Sequence, residues 1–180
     1  MEFQTRIHGR GGQGVVTAAE LLSVAAFLED RYAQAFPTFG SERTGAPVVS
    51  FCRISDKPIR LREPITEPDA VIVQDATLLR QIDVLAGLRP HGHVLINSTR
   101  PADELGLTGW TVPASEIALR HVGRPVPNAA LLGAFCALTG VLSLESVLAA
   151  IRATFPGPVA ERNVAAASEA CSYLREAVRA

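Results

Sequence analysis

From Phe3 to His8 the chain alternates loosely. It then runs through Gly9-Arg10-Gly11-Gly12-Gln13-Gly14 into apolar residues that recur at three- and four-residue spacing from Val15 to Leu28. Strand, glycine turn and amphipathic helix in that order restrict the fold more than any other feature of the sequence. Gly9, Gly11 and Gly14 satisfy G-x-G-x-x-G. In this setting glycines let the backbone pass close to a phosphate, and the helix presents free N–H groups and the positive end of its dipole to the charge. Arg10 adds a cation able to fork onto phosphate oxygens. A strand-to-helix turn kept for packing alone satisfies the same pattern, so the motif leaves anion binding and a structural role both open.

The rest of the chain repeats the alternation. Val48 to Ser55 and Pro58 to Leu61 flank Ser55-Asp56-Lys57-Pro58 and read as a β-hairpin, which implies a mixed rather than wholly parallel sheet. Asp69 to Gln74, His93 to Asn97 and Gly109 to Pro113 read as strands. Helices are expected over Ala76 to Ala86, after Ala114, from Asn128 to Leu142, from Leu144 to Thr154 and from Val159 to Val178, the last two parted by Phe155-Pro156-Gly157-Pro158. The expected fold is α/β: a three-layer α/β/α sandwich on a mixed, mostly parallel sheet, with a Rossmann-like glycine-rich turn after the first strand. The 180 residues form a single domain, 1–180, in this reading.

Several chemistries are disfavoured. A dinucleotide site calls for an acid ending a second strand about 20 residues on, but Glu29 and Asp30 read as the end of the first helix. No Gly-Lys-Ser/Thr follows the glycines, so the P-loop pattern fails. The 17 basic and 18 acidic side chains balance to -1, leaving no global field for nucleic acid or anionic lipid. Cys52, Cys136 and Cys171 lie far apart without CxxC spacing and read as reduced core thiols. His8, His91, His93 and His121 share no metal-ligand spacing. Met1 to His8 lacks the features of a secretory signal, and no apolar stretch is long enough to span a bilayer, so a cytoplasmic location without a membrane span is expected.

A second stretch stands out. Tyr32 to Pro47 is rich in Gly, Pro, Ser and Thr yet carries Phe36 and Phe39, and reads as a functional loop. Ser41, Arg43 and Thr44 are suitable donors to phosphate or carboxylate, and Phe36 or Phe39 is placed to cover a nucleobase or a partner's apolar surface. A loop folded onto its own sheet by its aromatics is the plainer alternative. Asn128 reads as a helix cap, whereas Asn163, inside the last helix, is a candidate for a hydrogen bond to a loop or ligand.

Taken together, Gly9-Arg10-Gly11-Gly12-Gln13-Gly14-Val15, Phe36-Pro37 through Gly45-Ala46-Pro47, Asn128 to Ala134 and Asn163-Val164-Ala165-Ala166 resemble the gamma subunit of 2-oxoacid:ferredoxin oxidoreductases of the pyruvate synthase type. The resemblance implies one subunit of an enzyme converting a 2-oxoacid (pyruvate, an arylpyruvate, an arylglyoxylate or 2-oxoglutarate) and coenzyme A to acyl-CoA, carbon dioxide and reduced ferredoxin or another acceptor. Such a chain is inactive alone. Its implied partners are thiamine-binding and alpha-type oxidoreductase subunits and a ferredoxin-like cluster subunit. Thiamine diphosphate, magnesium and 4Fe-4S clusters would reside on those partners, because this sequence has neither a Gly-Asp-Gly…Asn signature nor the cysteines. Carried over residue by residue, Gly9, Arg10, Gly11, Gly12, Gln13 and Gly14 would approach the phosphates of coenzyme A, with Ser41, Arg43 and Thr44 as further donors. An independent nucleotide-binding α/β protein and a purely structural assembly subunit are the competing readings.

Overall fold

The computed structural model describes residues 1–38 and 44–180. The strands are β1 (Glu2–Arg10), β2 (Tyr32–Pro37), β3 (Pro47–Ser55), β4 (Ala70–Val73), β5 (His93–Asn97) and β6 (Trp110–Val112). The helices are α1 (Val15–Leu28), α2 (Ala114–Val122), α3 (Asn128–Thr139), α4 (Leu144–Thr154) and α5 (Gly157–Arg179). The strands form one six-stranded sheet in the order β2-β3-β1-β4-β5-β6. β1, β4, β5 and β6 run parallel, and β3 is antiparallel to both of its neighbours. This is the expected α/β class with a mixed sheet. No helix among the described residues is long and apolar enough to cross a membrane.

Alternation along the strands explains the two faces. Ile7, Cys52, Ile54, Ile72, Leu95 and Val112 turn toward one side and are buried against α1, α3 and α5. α3 is apolar nearly all round because it lies inside this layer, its residues Asn128 to Cys136 all buried. On the opposite side Val71, Val73, Val94 and Ile96 pack on Leu78 and Val84, from 3₁₀ and turn structure.

Three local expectations are corrected. Tyr32–Pro37 is not loop but the edge strand β2, pairing Ala33 with Ile54 and Phe36 with Phe51. Its inward side chains, Ala33 and Ala35, are too small to give a strong alternating signal, and Pro37 is tolerated at a sheet edge. Pro58 to Leu61 forms no hairpin arm, since both edges of β3 are already taken by β1 and β2. Ala76 to Ala86 is not an α-helix: a 3₁₀ turn covers Ala76–Arg80 and irregular turns follow. The Asp75 side chain accepts from Thr77 N–H, and Asp83 Oδ1 likewise accepts from Leu85 N–H, so each aspartate favours a local turn over helix propagation.

Candidate functional site

β1 ends at Arg10 and α1 begins at Val15, so the glycine motif is the turn between them. Gly14 occupies the N-cap in the left-handed region, φ 72°, and Gly12 has φ 93°. Gly9 and Gly14 are also required by space. A Cβ on Gly9 would stand 2.4 Å from Val15 Cγ2, and one on Gly14 would stand 2.3 Å from Asn128 Nδ2. Gly11 ties the turn to the second loop: its N–H donates to Ala46 O at 2.9 Å and its carbonyl accepts from Gly45 N–H at 3.2 Å. Among the described residues the N–H groups of Gly12, Gly14, Val15, Val16 and Thr17 have no acceptor. They open onto a cleft of about 370 Å³ bordered by Arg10, the glycines, Thr17, Thr44 and Val48. Free amides at a helix N-terminus, an arginine and a threonine hydroxyl make this a donor-rich cleft, chemistry that suits an anion.

The Arg10 side chain is held by a closed ring of polar contacts. Gln13 Oε1 accepts from Arg10 N–H at 2.7 Å, and Gln13 Nε2 donates to Asp75 Oδ2 at 2.8 Å. Asp75 Oδ1 accepts from Thr77 N–H and Thr77 Oγ1–H at 3.0 and 2.6 Å. Thr77 Oγ1 in turn accepts from Arg10 Nε and Nη2 at 3.3 and 3.0 Å. Arg10 Nη1 donates to Gly45 O at 3.1 Å, and its Nε lies 3.4 Å from Asp75 Oδ2. Three of the five guanidinium N–H groups are thereby engaged, which leaves two for the cleft. Burial pushes the Asp75 carboxyl up, but hydrogen bonds from Thr77 and Gln13 and the charge of Arg10 outweigh it and hold the group below its ordinary range.

The structure therefore places Arg10, Gly11, Gly12, Gly14 and Thr44 on one cleft, with Gly9 packed beneath it. Gln13 turns its amide away from the cleft into the ring. Ser41, Arg43 and Phe39 lie outside the described residues. Phe36 is not free to cover a base: its ring packs 5.1 Å from that of Phe51, with the Arg53 guanidinium 5.6 Å from its centroid. Asn163 donates to Val159 O in its own helix rather than to a loop. Pro127 takes the N-cap position of α3, and Asn128 is its first residue; its Oδ1 accepts from Ala129 N–H at 2.9 Å, and its Nδ2 reaches back to donate to Gly14 O at 3.3 Å. Asp75, Thr77 and Gln74, whose Nε2 donates to Gln13 O at 2.7 Å, escaped the sequence reading. The Asp-x-Thr at the end of an apolar strand was the one available signal for them.

Behind the turn, His8 is buried and neutral. Its Nε2 accepts from Arg6 Nε at 3.0 Å, which puts the proton on Nδ1, an atom with no partner. Burial and then the charge of Arg6 push its pKa down to about 4. Arg6 itself is buried and also donates to the carbonyls of Ile65, Val84 and Ala86. The three cysteines are free and buried, and burial pushes the thiols of Cys52 and Cys136 up to about 12. Among the described residues no group of three His, Cys, Asp or Glu is placed to hold a metal.

The profile of the family described as pyruvate ferredoxin/flavodoxin oxidoreductase matches residues 4–173. Pyruvate synthase subunit PorC of Methanocaldococcus jannaschii is 52% identical over 172 residues, 96% of this chain and 97% of that one. The pyruvate/ketoisovalerate oxidoreductases common subunit gamma of Thermococcus kodakarensis is 49% identical, over 93% of this chain and 95% of that one. The crystal structure of pyruvate oxidoreductase subunit PORC from Thermotoga maritima superposes with a TM-score of 0.84 at 36% identity, covering 95% of this chain and 96% of that one.

Proposed function

Because the chain belongs to the pyruvate ferredoxin/flavodoxin oxidoreductase family, we propose that it is the gamma-type subunit of a pyruvate synthase-class enzyme and that its glycine cleft binds coenzyme A. The assembled enzyme would decarboxylate pyruvate oxidatively, pass the acyl group to the thiol of coenzyme A and deliver the electrons to ferredoxin. The subunit assignment rests on identity to a PorC subunit that extends over nearly the whole of both chains. The ligand assignment rests on the donor set: five open amides at a helix N-terminus beside a guanidinium with two unspent N–H groups. A pyrophosphate fits such a site.

Among the described residues the three cysteines are buried and belong to no group placed to hold a metal, so this chain's own residues do not fit an iron-sulfur cluster. Thiamine-binding, alpha-type and ferredoxin-like subunits in the cytoplasm would supply those groups. The contribution of this chain is binding. Gly12, Gly14 and Val15 to Thr17 hold the nucleotide phosphates, Arg10 neutralises them, and the fixed nucleotide restricts where the thiol arm can travel.

The decisive experiment tags this chain, purifies the assembled complex without oxygen, and compares the KM for coenzyme A of wild type and Arg10→Ala. A charged contact to phosphate is worth about 1.5–3 kcal/mol, so a rise of roughly tenfold or more is expected with kcat retained. An intact complex with unchanged KM would establish a purely structural turn instead.

A further inference from the structure

Pro58 to Leu61 has the sequence of a strand, and the chain offers it no strand to pair with, because β1 and β2 occupy both edges of β3. It belongs instead to a strap that runs from the end of β3 to the start of β4. Both ends of the strap are tied. Lys57 N–H donates to Ser55 Oγ at 3.1 Å, and Asp56 N–H donates to Met1 O at 3.2 Å. At the far end the carbonyl of buried Ile65 accepts from Arg6 Nη1 at 3.4 Å, and the carbonyls of Glu67 and Pro68 accept from Arg89 Nε and Arg89 N–H, both at 3.0 Å. Between these ties Pro58 to Pro64 has no regular secondary structure and, among the described residues, makes no hydrogen bond or ion pair. The N–H groups of Ile59, Arg60, Leu61, Arg62 and Glu63 are left to water.

Charge sets the same segment apart. Lys57, Arg60 and Arg62 are all exposed, none is ion-paired among the described residues, and Glu63 is the one acid among them. Asp56 does not compensate, for it is held by the terminal amine at 3.2 Å and lies 3.7 Å from Arg31 Nε. Leu61, between the two arginines, is 60% exposed. Unpaired cations and unspent backbone groups on one segment give its own fold nothing, but they are the groups by which one polypeptide recognises another.

We infer that Lys57 to Pro64 docks on an acidic surface of another subunit of the enzyme, whose carboxylates face Lys57, Arg60 and Arg62 and whose polar groups take up the free N–H groups. The inference rests on the subunit reading above and uses no residue of the glycine cleft. A second copy of this chain fits less well, since a two-fold contact would set the three cations against their own copies. The position suits an assembly contact. Ser55 pairs with Glu2, whereas the glycine turn follows Arg10, so the strap leaves the sheet roughly 25 Å along β1 from the cleft. It returns at Ala70, level with Thr5. A partner seated there leaves the cleft open.

The test uses the assembled complex, purified without oxygen through a tag on this chain. In the wild-type complex the amides of Ile59 to Glu63 should exchange hydrogen at least about tenfold slower than free amides do. A triple variant, Lys57→Gln with Arg60→Gln and Arg62→Gln, breaks no side-chain bond within the chain, so its Tm should match that of wild type. At low salt its dissociation constant for the partner subunits should be about tenfold higher, the combined effect of three exposed ion pairs. The difference should vanish at about 1 M NaCl, where screening acts within about 3 Å. The KM for coenzyme A should be unchanged wherever the complex forms. Strap amides that exchange at the free rate in an intact complex would overturn the inference, and so would a triple variant that keeps the wild-type dissociation constant at low salt. Normal assembly with loss only of self-association, or only of binding to anionic vesicles or RNA, would overturn it as well and assign the strap to that occupant. Recovery of the chain with no partner at all would overturn the subunit reading and this inference with it, whereas an intact complex with an unprotected strap overturns this inference alone.

Discussion

Replacing Asp75 by Asn removes one charge at nearly constant shape, and the ring around Arg10 cannot absorb it. In the native ring both carboxylate oxygens only accept: one from Gln13 Nε2 and the nearby Arg10 Nε, the other from the N–H and hydroxyl of Thr77. An amide has one oxygen, so its NH₂ must face a donor on one side or the other. Gln13 cannot flip to compensate, because its Oε1 already accepts from Arg10 N–H. One charge-assisted hydrogen bond is lost and the ion pair with Arg10 disappears. Asp75 and Arg10 are about one-fifth exposed, so water screens part of the loss. A value near 1.5 kcal/mol follows, equivalent to roughly tenfold in affinity. If the ring positions Arg10 for a phosphate, Asp75→Asn in the assembled enzyme raises the KM for coenzyme A by that factor with kcat retained. The sign with pH follows from the lowered Asp75 pKa. Its contribution is complete above the ordinary carboxylate range and fades only as pH falls through the depressed folded value, so Asp75 adds no pH dependence near neutrality. A lowered Tm with KM within twofold of wild type would refute the positioning argument and reduce the ring to a structural brace.

Gly14→Ala should cost more stability than Gly12→Ala, read as Tm: both force a left-handed residue at about 1–2 kcal/mol, but only the Cβ on Gly14 strikes Asn128. Gly133→Ala places a Cβ 1.9 Å from Ala167 O and must part α3 from α5, so a loss of about 3 kcal/mol is expected. Gly140→Ala, at an open left-handed C-cap, is its control and should lose only about 1–2 kcal/mol. His8 resists protonation to about pH 4, so below its ordinary value of 6.5 the unfolded chain takes up a proton that the folded chain refuses. Stability should therefore fall by up to about 3 kcal/mol between those values, and His8→Gln should flatten that limb of a denaturation series.

The parts of the fold legible in the sequence are those whose periodicity is strong and locally decided. β4 and β5 are unbroken Val/Ile-rich runs, and α4 and α5 show one apolar face between clear breakers. What escaped was settled by pairing across the chain. β2 has only Ala33 and Ala35 to mark its inner face, and it is a strand because β3 offers it a register. The hairpin reading failed for the same reason, since a turn at Ser55 does not decide which strand lies beside β3. Leu78, Leu79, Ile82 and Leu85 carry apolar spacing compatible with a helix, yet Asp75 and Asp83 seize backbone N–H groups nearby. There the local hydrogen bonds win, and tertiary burial is satisfied without a helix.

The candidate site divides along the same line. Its glycines were legible because a left-handed φ and a close packing contact are backbone demands that few other residues meet. The groups that aim Arg10 were not, for they lie far off in sequence: Thr77 stands 67 residues from Arg10, and Asp75 stands 62 from Gln13. A glycine turn alone offers amides to any anion. The long-range polar partners fix how many guanidinium N–H groups remain free and where, so specificity at this cleft belongs to the fold rather than to the motif. A peptide spanning β1, the turn and α1 would therefore keep the sequence signature and lose the selectivity, because nothing in it replaces Asp75 or Thr77.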